Sequence, residues 1–156
     1  MPDYSDIKYK DLYYVAVKLF LERQGEFFIF KDKWGQWDLP GGRIRTYEFD
    51  IPLEQVIERK MKEEVGEEVR YRLGKPIVMM RHERIEQLEG LEKNPTIRIF
   101  AIGYEAILES GEPQLGDHHI EMKWMDIDTF KPEEYFTGGW LRGVGEYLEL
   151  KRNSRK

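Results

Sequence analysis

Apolar and polar positions change period several times along this chain. Residues 12–21, LYYVAVKLFL, and 26–31, EFFIFK, are nearly continuous runs of β-formers. The runs read as two strands joined across the Arg-Gln-Gly turn at 22–25, and unbroken apolar runs of this kind suit strands. Residues 33–38, KWGQWD, then lead into a Pro-Gly-Gly turn. From residue 53 the period becomes helical. Leu53, Val56, Ile57, Met61 and Val65 recur at steps of three and four, which gives one apolar face. Asp50 or Ile51 opens this helix, with Pro52 at or near its first position, where a missing N–H costs nothing. Gly66 stops it.

Further along, 69–73 reads as a short strand that Gly74-Lys75-Pro76 breaks, and 77–87 reads as the next strand. Residues 88–95 are a polar loop, and 96–108, TIRIFAIGYEAIL, form a long strand. The segment 115–128 begins as a loop and becomes a strand at 121–125. Residues 129–135 are a connector around Pro132. Trp140, Leu141, Val144, Tyr147 and Leu148 have helical spacing, so 138–150 is a second helix. Gly143 and Gly145 inside it either weaken that helix or mark close packing. Strands before, between and after two helices predict an α/β or α+β fold, a mixed sheet held between helices.

Composition narrows the class. The chain has 156 residues, 40% hydrophobic and 35% charged, which suits one globular domain. Residues 1–11 are a polar lead-in arm and 151–156 a solvated basic tail. A net charge of −5 argues against general nucleic-acid affinity. The absence of cysteine excludes disulfides, thiolate metal sites and thiol nucleophiles. No apolar run approaches the ~18–20 residues of a membrane span. No apolar leader core is present, and the expected location is the cytoplasm.

The chemistry concentrates in 39–66, LPGGRIRTYEFDIPLEQVIERKMKEEVG. At about 100° per residue, Glu64 falls at the edge of the apolar helix face and Glu63 nearer the polar side. A carboxylate at such an edge needs a cation, a metal or backbone donors. The preceding turn leaves carbonyls free to join it around a hard cation.

This stretch resembles the Nudix box, G-x5-E-x7-R-E-U-x-E-E-x-G-U with U apolar. Gly42 and Glu48 match its opening, and Arg59, Met61, Glu63, Glu64 and Gly66 match its close. Three departures stand out. Ten residues separate Glu48 from Arg59 where the family has seven. Lys60 replaces a box glutamate, and Glu67 stands at an apolar position. The resemblance implies an α/β/α sandwich and a hydrolase of nucleoside diphosphate derivatives that uses Mg²⁺, with Mn²⁺ as a substitute. Glu64 is the leading metal ligand, then Glu63, with a carbonyl of Gly41 or Gly42 completing the coordination. Glu48 and Arg59 lock the loop against the helix. Lys60 forms a salt bridge with Glu64 and reduces the metal cluster.

Gly41-Gly42-Arg43, Glu58-Arg59, Glu64 and Gly66 are also similar to GDP-mannose mannosyl hydrolase, a subgroup that cleaves a glycosyl bond. That likeness implies His119, five residues before Trp124, as general base, and His118 at a metal-binding position. It also implies a homodimer. Arg43 would hold a phosphate oxygen. Trp34 and Trp37 either stack on a base or sugar or cap a core. Three functions stay open: a nucleotide-sugar glycosyl hydrolase, a pyrophosphatase acting on ADP-ribose or a nucleotide sugar, and a nucleotide-binding module without turnover.

Overall fold

In the computed structural model, which describes residues 6–155, the two apolar runs become β1 (Tyr14–Arg23) and β2 (Glu26–Asp32). Gln24 and Gly25 join them with φ of 44° and 81°, the backbone signs that a two-residue hairpin of primed type needs. Both strands are covered on both faces, which explains their unbroken hydrophobicity. Phe20, Phe27 and Ile29 enter one cluster, while Leu19, Leu21, Phe28 and Phe30 enter the other.

The sheet continues with β3 (Trp37–Asp38), β4 (Gly41–Arg43), β5 (Arg70–Ile85), β6 (Thr96–Ser110) and β7 (His119–Asp126). Its order is β3-β2-β1-β6-β5, with β4 paired to β1 and β7 to β2. The β1–β6 pair is parallel and the others are antiparallel, so the sheet is mixed. Helix α1 (Leu53–Val65) buries Val56, Ile57, Met61 and Val65 on one side. Helix α2 (Gly138–Ser154) buries Val144, Tyr147 and Leu148 on the other. Tyr147 stacks on Phe20 with ring centroids 3.9 Å apart. The architecture is the expected mixed α+β sandwich.

Several boundaries differ from the sequence reading, each for a local reason. The first strand starts at Tyr14 rather than residue 12. Pro52 is the N-cap of α1, one place before its first helical residue. The strands expected at 69–73 and 77–87 are one strand, β5, because register shifts flank Pro76 and absorb the Gly-Lys-Pro break. Proline survives there because β5 is an edge strand and bulges release it from the ladder. Strand β7 begins at His119, so that histidine lies in the sheet rather than in the loop before it.

Helix α2 runs to Ser154, four residues past the expected end. The basic tail is therefore not simply solvated. Lys151 lies 3.1 Å from buried Glu22, and Arg152 donates to the carbonyls of Ile127 and Phe130 at 2.9 and 2.7 Å. Gly143 marks close packing: a Cβ there would lie 2.1 Å from Met80 Cγ. Of the lead-in arm, residues 1–5 lie outside the described residues, and Ile7–Tyr9 is a 3₁₀ turn.

One topological feature positions the site. Beyond the hairpin, the pairs Glu22–Phe27 and Arg23–Glu26 give way and β1 leaves β2 to pair with β4 at Ala16–Lys18. Lys18, in the middle of the apolar run, turns into the resulting gap.

Candidate active site

Strand β4 brings the double glycine against α1. Gly41 has φ of +139°, and a Cβ there would fall 2.0 Å from the Val17 carbonyl oxygen. Only glycine lets the turn close on β1. Its N–H then donates to Glu64 Oε2 at 3.0 Å. The Glu64 side chain is 15% exposed. Burial pushes its carboxyl up to about 7, against the opposing pull of Lys18, Lys60 and the Gly41 amide, with Asp38 adding to the rise.

Lys18 Nζ lies 2.9 Å from both carboxylate oxygens of Asp38 and donates to the Leu39 carbonyl at 3.3 Å. The field of this pair reaches Glu64, His82 and His119 alike. Neither residue was singled out from sequence. The available signal was the lone lysine in YVAVKLFL, since a buried ammonium needs a partner.

Lys60 lies over Gly42, its Nζ 3.4 Å from Glu64 Oε1 and 3.3 Å from Glu63 Oε2. Arg59 donates to Glu48 at 2.7 and 2.8 Å and to Glu63 Oε1 at 3.1 Å. Glu48 is 4% exposed and also accepts from the Arg45 amide at 2.9 Å. The Arg59 guanidinium, aided by that amide, holds its carboxyl below the usual carboxylate range despite burial. The loop carrying the three extra residues is thus anchored through a 3₁₀ turn, Thr46–Glu48. Gly66 ends α1 with φ of +90°.

These residues do not fit a protein-held divalent metal as arranged. Each oxygen of Glu63 and Glu64 already faces Arg59, Lys60 or the Gly41 amide. The fourth expected ligand, His118, is exposed and its carbonyl accepts from Lys33 N at 3.2 Å. Among the described residues, no three His, Asp or Glu side chains gather as a metal cage.

Arg43 follows Gly42 on β4 and points the other way. It lines a groove of about 490 Å³ with Trp34, Trp37, Asp38, His82 and Trp140. Its guanidinium forms a two-bond fork with Glu86, both at 2.9 Å. A phosphate must therefore engage its remaining donors or displace Glu86. Trp37 lines the groove and packs edge-on against Tyr135 at 5.1 Å. His82 stacks on Trp140 at 4.5 Å and accepts the Gly139 N–H at Nδ1, 3.2 Å away. In the neutral ring that leaves the proton on Nε2. A larger depression, about 660 Å³, lies along the other side of α1. Glu54, Glu58 and Glu67 line it together with Lys62 and Arg70.

His119 is on the α1 side of the sheet, stacked flat on Phe30 at 3.6 Å. Burial, reinforced by Lys18 and opposed by Asp38, holds it below the ordinary imidazole range.

A model of the NUDIX domain family matches residues 13–142. Among solved structures, a MutT NUDIX hydrolase from Burkholderia pseudomallei superposes with TM-score 0.60 and 24% identity, over 89% of this chain and 98% of that one. An ADP-ribose pyrophosphatase from Streptococcus suis gives 0.62 and 18%, over 89% and 92%. A UDP-X diphosphatase gives 0.64 and 11%, over 100% and 74%. A search of curated proteins finds no significant match. At these identities the structures speak for the fold alone. The family model spans most of the chain and contains the turn, strand and helix that bring Gly41, Gly42, Arg59 and Glu64 together: the chain belongs to the NUDIX domain family of hydrolases.

Proposed function

We propose that this chain hydrolyses a nucleoside diphosphate derivative, with a nucleotide sugar as the first substrate class. The observation that carries this reading is the junction at Lys18–Asp38. Asp38 lines the groove walled by Trp34, Trp37 and Trp140, and the same ion pair acts on both Glu64 and His119. Aromatic walls suit a planar base or a sugar face. Arg43 at the groove and Lys60 at the turn suit phosphate oxygens.

In the glycosyl reading, a water oxygen bonds the anomeric carbon as the carbon–oxygen bond to the β-phosphate breaks. The water proton passes to His119, whose neutral ring can accept it at pH 7. The departing nucleoside diphosphate has its charge met by Lys60 and Arg43. The magnesium requirement expected from the family belongs to the substrate in this reading, which enters as the Mg²⁺ complex of the nucleotide, with Mn²⁺ as a substitute. No step is assigned to a metal held by the chain.

The second reading is phosphoanhydride cleavage. Its support is the adjacent Glu63–Glu64 pair at the end of α1, together with the names of two structural neighbours, an ADP-ribose pyrophosphatase and a UDP-X diphosphatase. One experiment separates them. The protein is incubated with Mg²⁺, GDP-mannose, other nucleotide sugars and ADP-ribose in ¹⁸O-water. Labelled free sugar plus nucleoside diphosphate supports glycosyl hydrolysis. Nucleoside monophosphate plus a sugar phosphate overturns it in favour of the second reading. No product from any substrate overturns both.

A further inference from the structure

We propose that the Lys60 ammonium is this site's resident cation: it stands where a protein-held divalent ion would stand, and it meets the substrate's diphosphate directly. Three observations carry this. First, the ammonium bridges the carboxylates of Glu63 and Glu64 at 3.3 and 3.4 Å. Two carboxylates one cation apart form the minimal acidic grip on a hard ion, and here the grip is closed by a side chain.

Second, the fit is steric as well as ionic. Lys60 lies against Gly42 so tightly that a Cβ there would be 2.4 Å from Lys60 Cε and 2.9 Å from Nζ. Its side chain is only 18% exposed, so it is held in the site rather than waving above it.

Third, the local charges cancel when every carboxylate is ionised. Glu48, Glu63 and Glu64 are chained to Arg45, Arg59 and Lys60 by ion pairs of 2.7–3.9 Å. Lys18 and Asp38 add a further neutral pair. Divalent affinity for oxygen sites rises with the number of ligand charges, and a neutral lattice offers a dication little. An anionic diphosphate is a different case. It approaches an ammonium already bedded between the double-glycine turn and α1, and Lys60 can exchange a carboxylate for a phosphate oxygen by rotating its stem.

The diphosphate half of this proposal rests on the hydrolase reading, whereas the metal half does not. The test is therefore a Mn²⁺ titration of the folded protein without nucleotide, following free Mn²⁺ by electron paramagnetic resonance. Lys60→Gln leaves the lattice one charge negative and Lys60→Glu two. The expected result is no saturable binding by the wild type in the micromolar range. Lys60→Gln should bind at least about tenfold more tightly than wild type, and Lys60→Glu more tightly again. Circular dichroism establishes that each variant is folded, and Lys60→Gln keeps the test valid should Lys60→Glu fail to fold. Tight Mn²⁺ binding by the wild type, unchanged in Lys60→Gln, would overturn the proposal. In a second arm, GDP is titrated by calorimetry in EDTA. Wild type should bind, and Lys60→Gln should lose roughly tenfold or more. Equal GDP affinity in the two proteins would remove the diphosphate half and leave the metal half standing.

Discussion

Glu64→Gln should make the protein more stable at pH 8. Glu64 is 15% exposed and burial pushes its carboxyl up from 4.5 to about 7, even though Lys18, Lys60 and the Gly41 amide pull the other way. A raised value means the folded chain holds this proton more tightly than the unfolded chain does. The contribution is fully favourable below pH 4.5 and is lost as pH rises through about 7. Integrated over that interval, the ionised carboxylate costs the native state about 3 kcal/mol at pH 8. Glutamine imitates the protonated form and can still accept the Gly41 N–H through its carbonyl oxygen. Its melting temperature at pH 8 should therefore exceed the wild type's by roughly 6–12 °C for a chain of this size. At pH 4 the two should coincide. The measurement is a pair of thermal melts across pH 4–8 in EDTA, since a divalent ion bound to the native state would add its own stabilisation. A variant less stable than wild type at pH 8, or a gap that does not narrow on acidification, would show that Glu64's ion pairs outweigh its burial.

Other perturbations give sharper local outcomes. His119→Gln should lower turnover by roughly 10²–10⁴-fold if the imidazole is the base, read as kcat at pH 7.5; a negligible loss would return that role to a carboxylate. Arg59→Met strands Glu48, which is 4% exposed, and should cost about 3 kcal/mol in urea unfolding at pH 7. Because Glu48's carboxyl is held below its usual range by Arg59, that cost should shrink as pH falls below about 4.5, where the wild type loses the same contribution. In α2, Gly143→Ala drives a methyl into Met80 and should destabilise by about 1–3 kcal/mol. Gly145→Ala meets nothing within 4 Å and should stabilise by about 1 kcal/mol through helix propensity. Equal effects at the two glycines would refute the packing account.

How much of this was legible in the chain depends on the range of the interaction. Strands β1 and β2 and the buried face of α1 follow from apolar periodicity, because burial on one or both faces dictates that pattern locally. The contact of Lys60 with Glu64, four residues on along the helix, was legible for the same reason. Strand β5 was not, because whether Gly74-Lys75-Pro76 breaks a strand or bulges it depends on which partner lies alongside and whether the strand is at an edge. The fork between Arg43 and Glu86 was invisible for a similar reason: 43 residues separate the partners, and only the sheet order carries the end of β5 toward β4. Lys18 is the most instructive case. Its place in an apolar run implies a buried cation, yet its partner Asp38 becomes available only because β1 abandons β2 for β4 just past the hairpin. The glycine that permits the exchange is Gly41, whose amide holds Glu64. The split of the sheet and the placing of the acidic side chain are thus one event. Gly41→Ala would disturb both, since the same 2.0 Å collision with the Val17 carbonyl that blocks the turn also withdraws the donor from Glu64. A further rise in Glu64's titration, since the Gly41 amide pulls it down, together with a loss of stability in that variant, and neither without the other, is the coupled outcome this geometry requires.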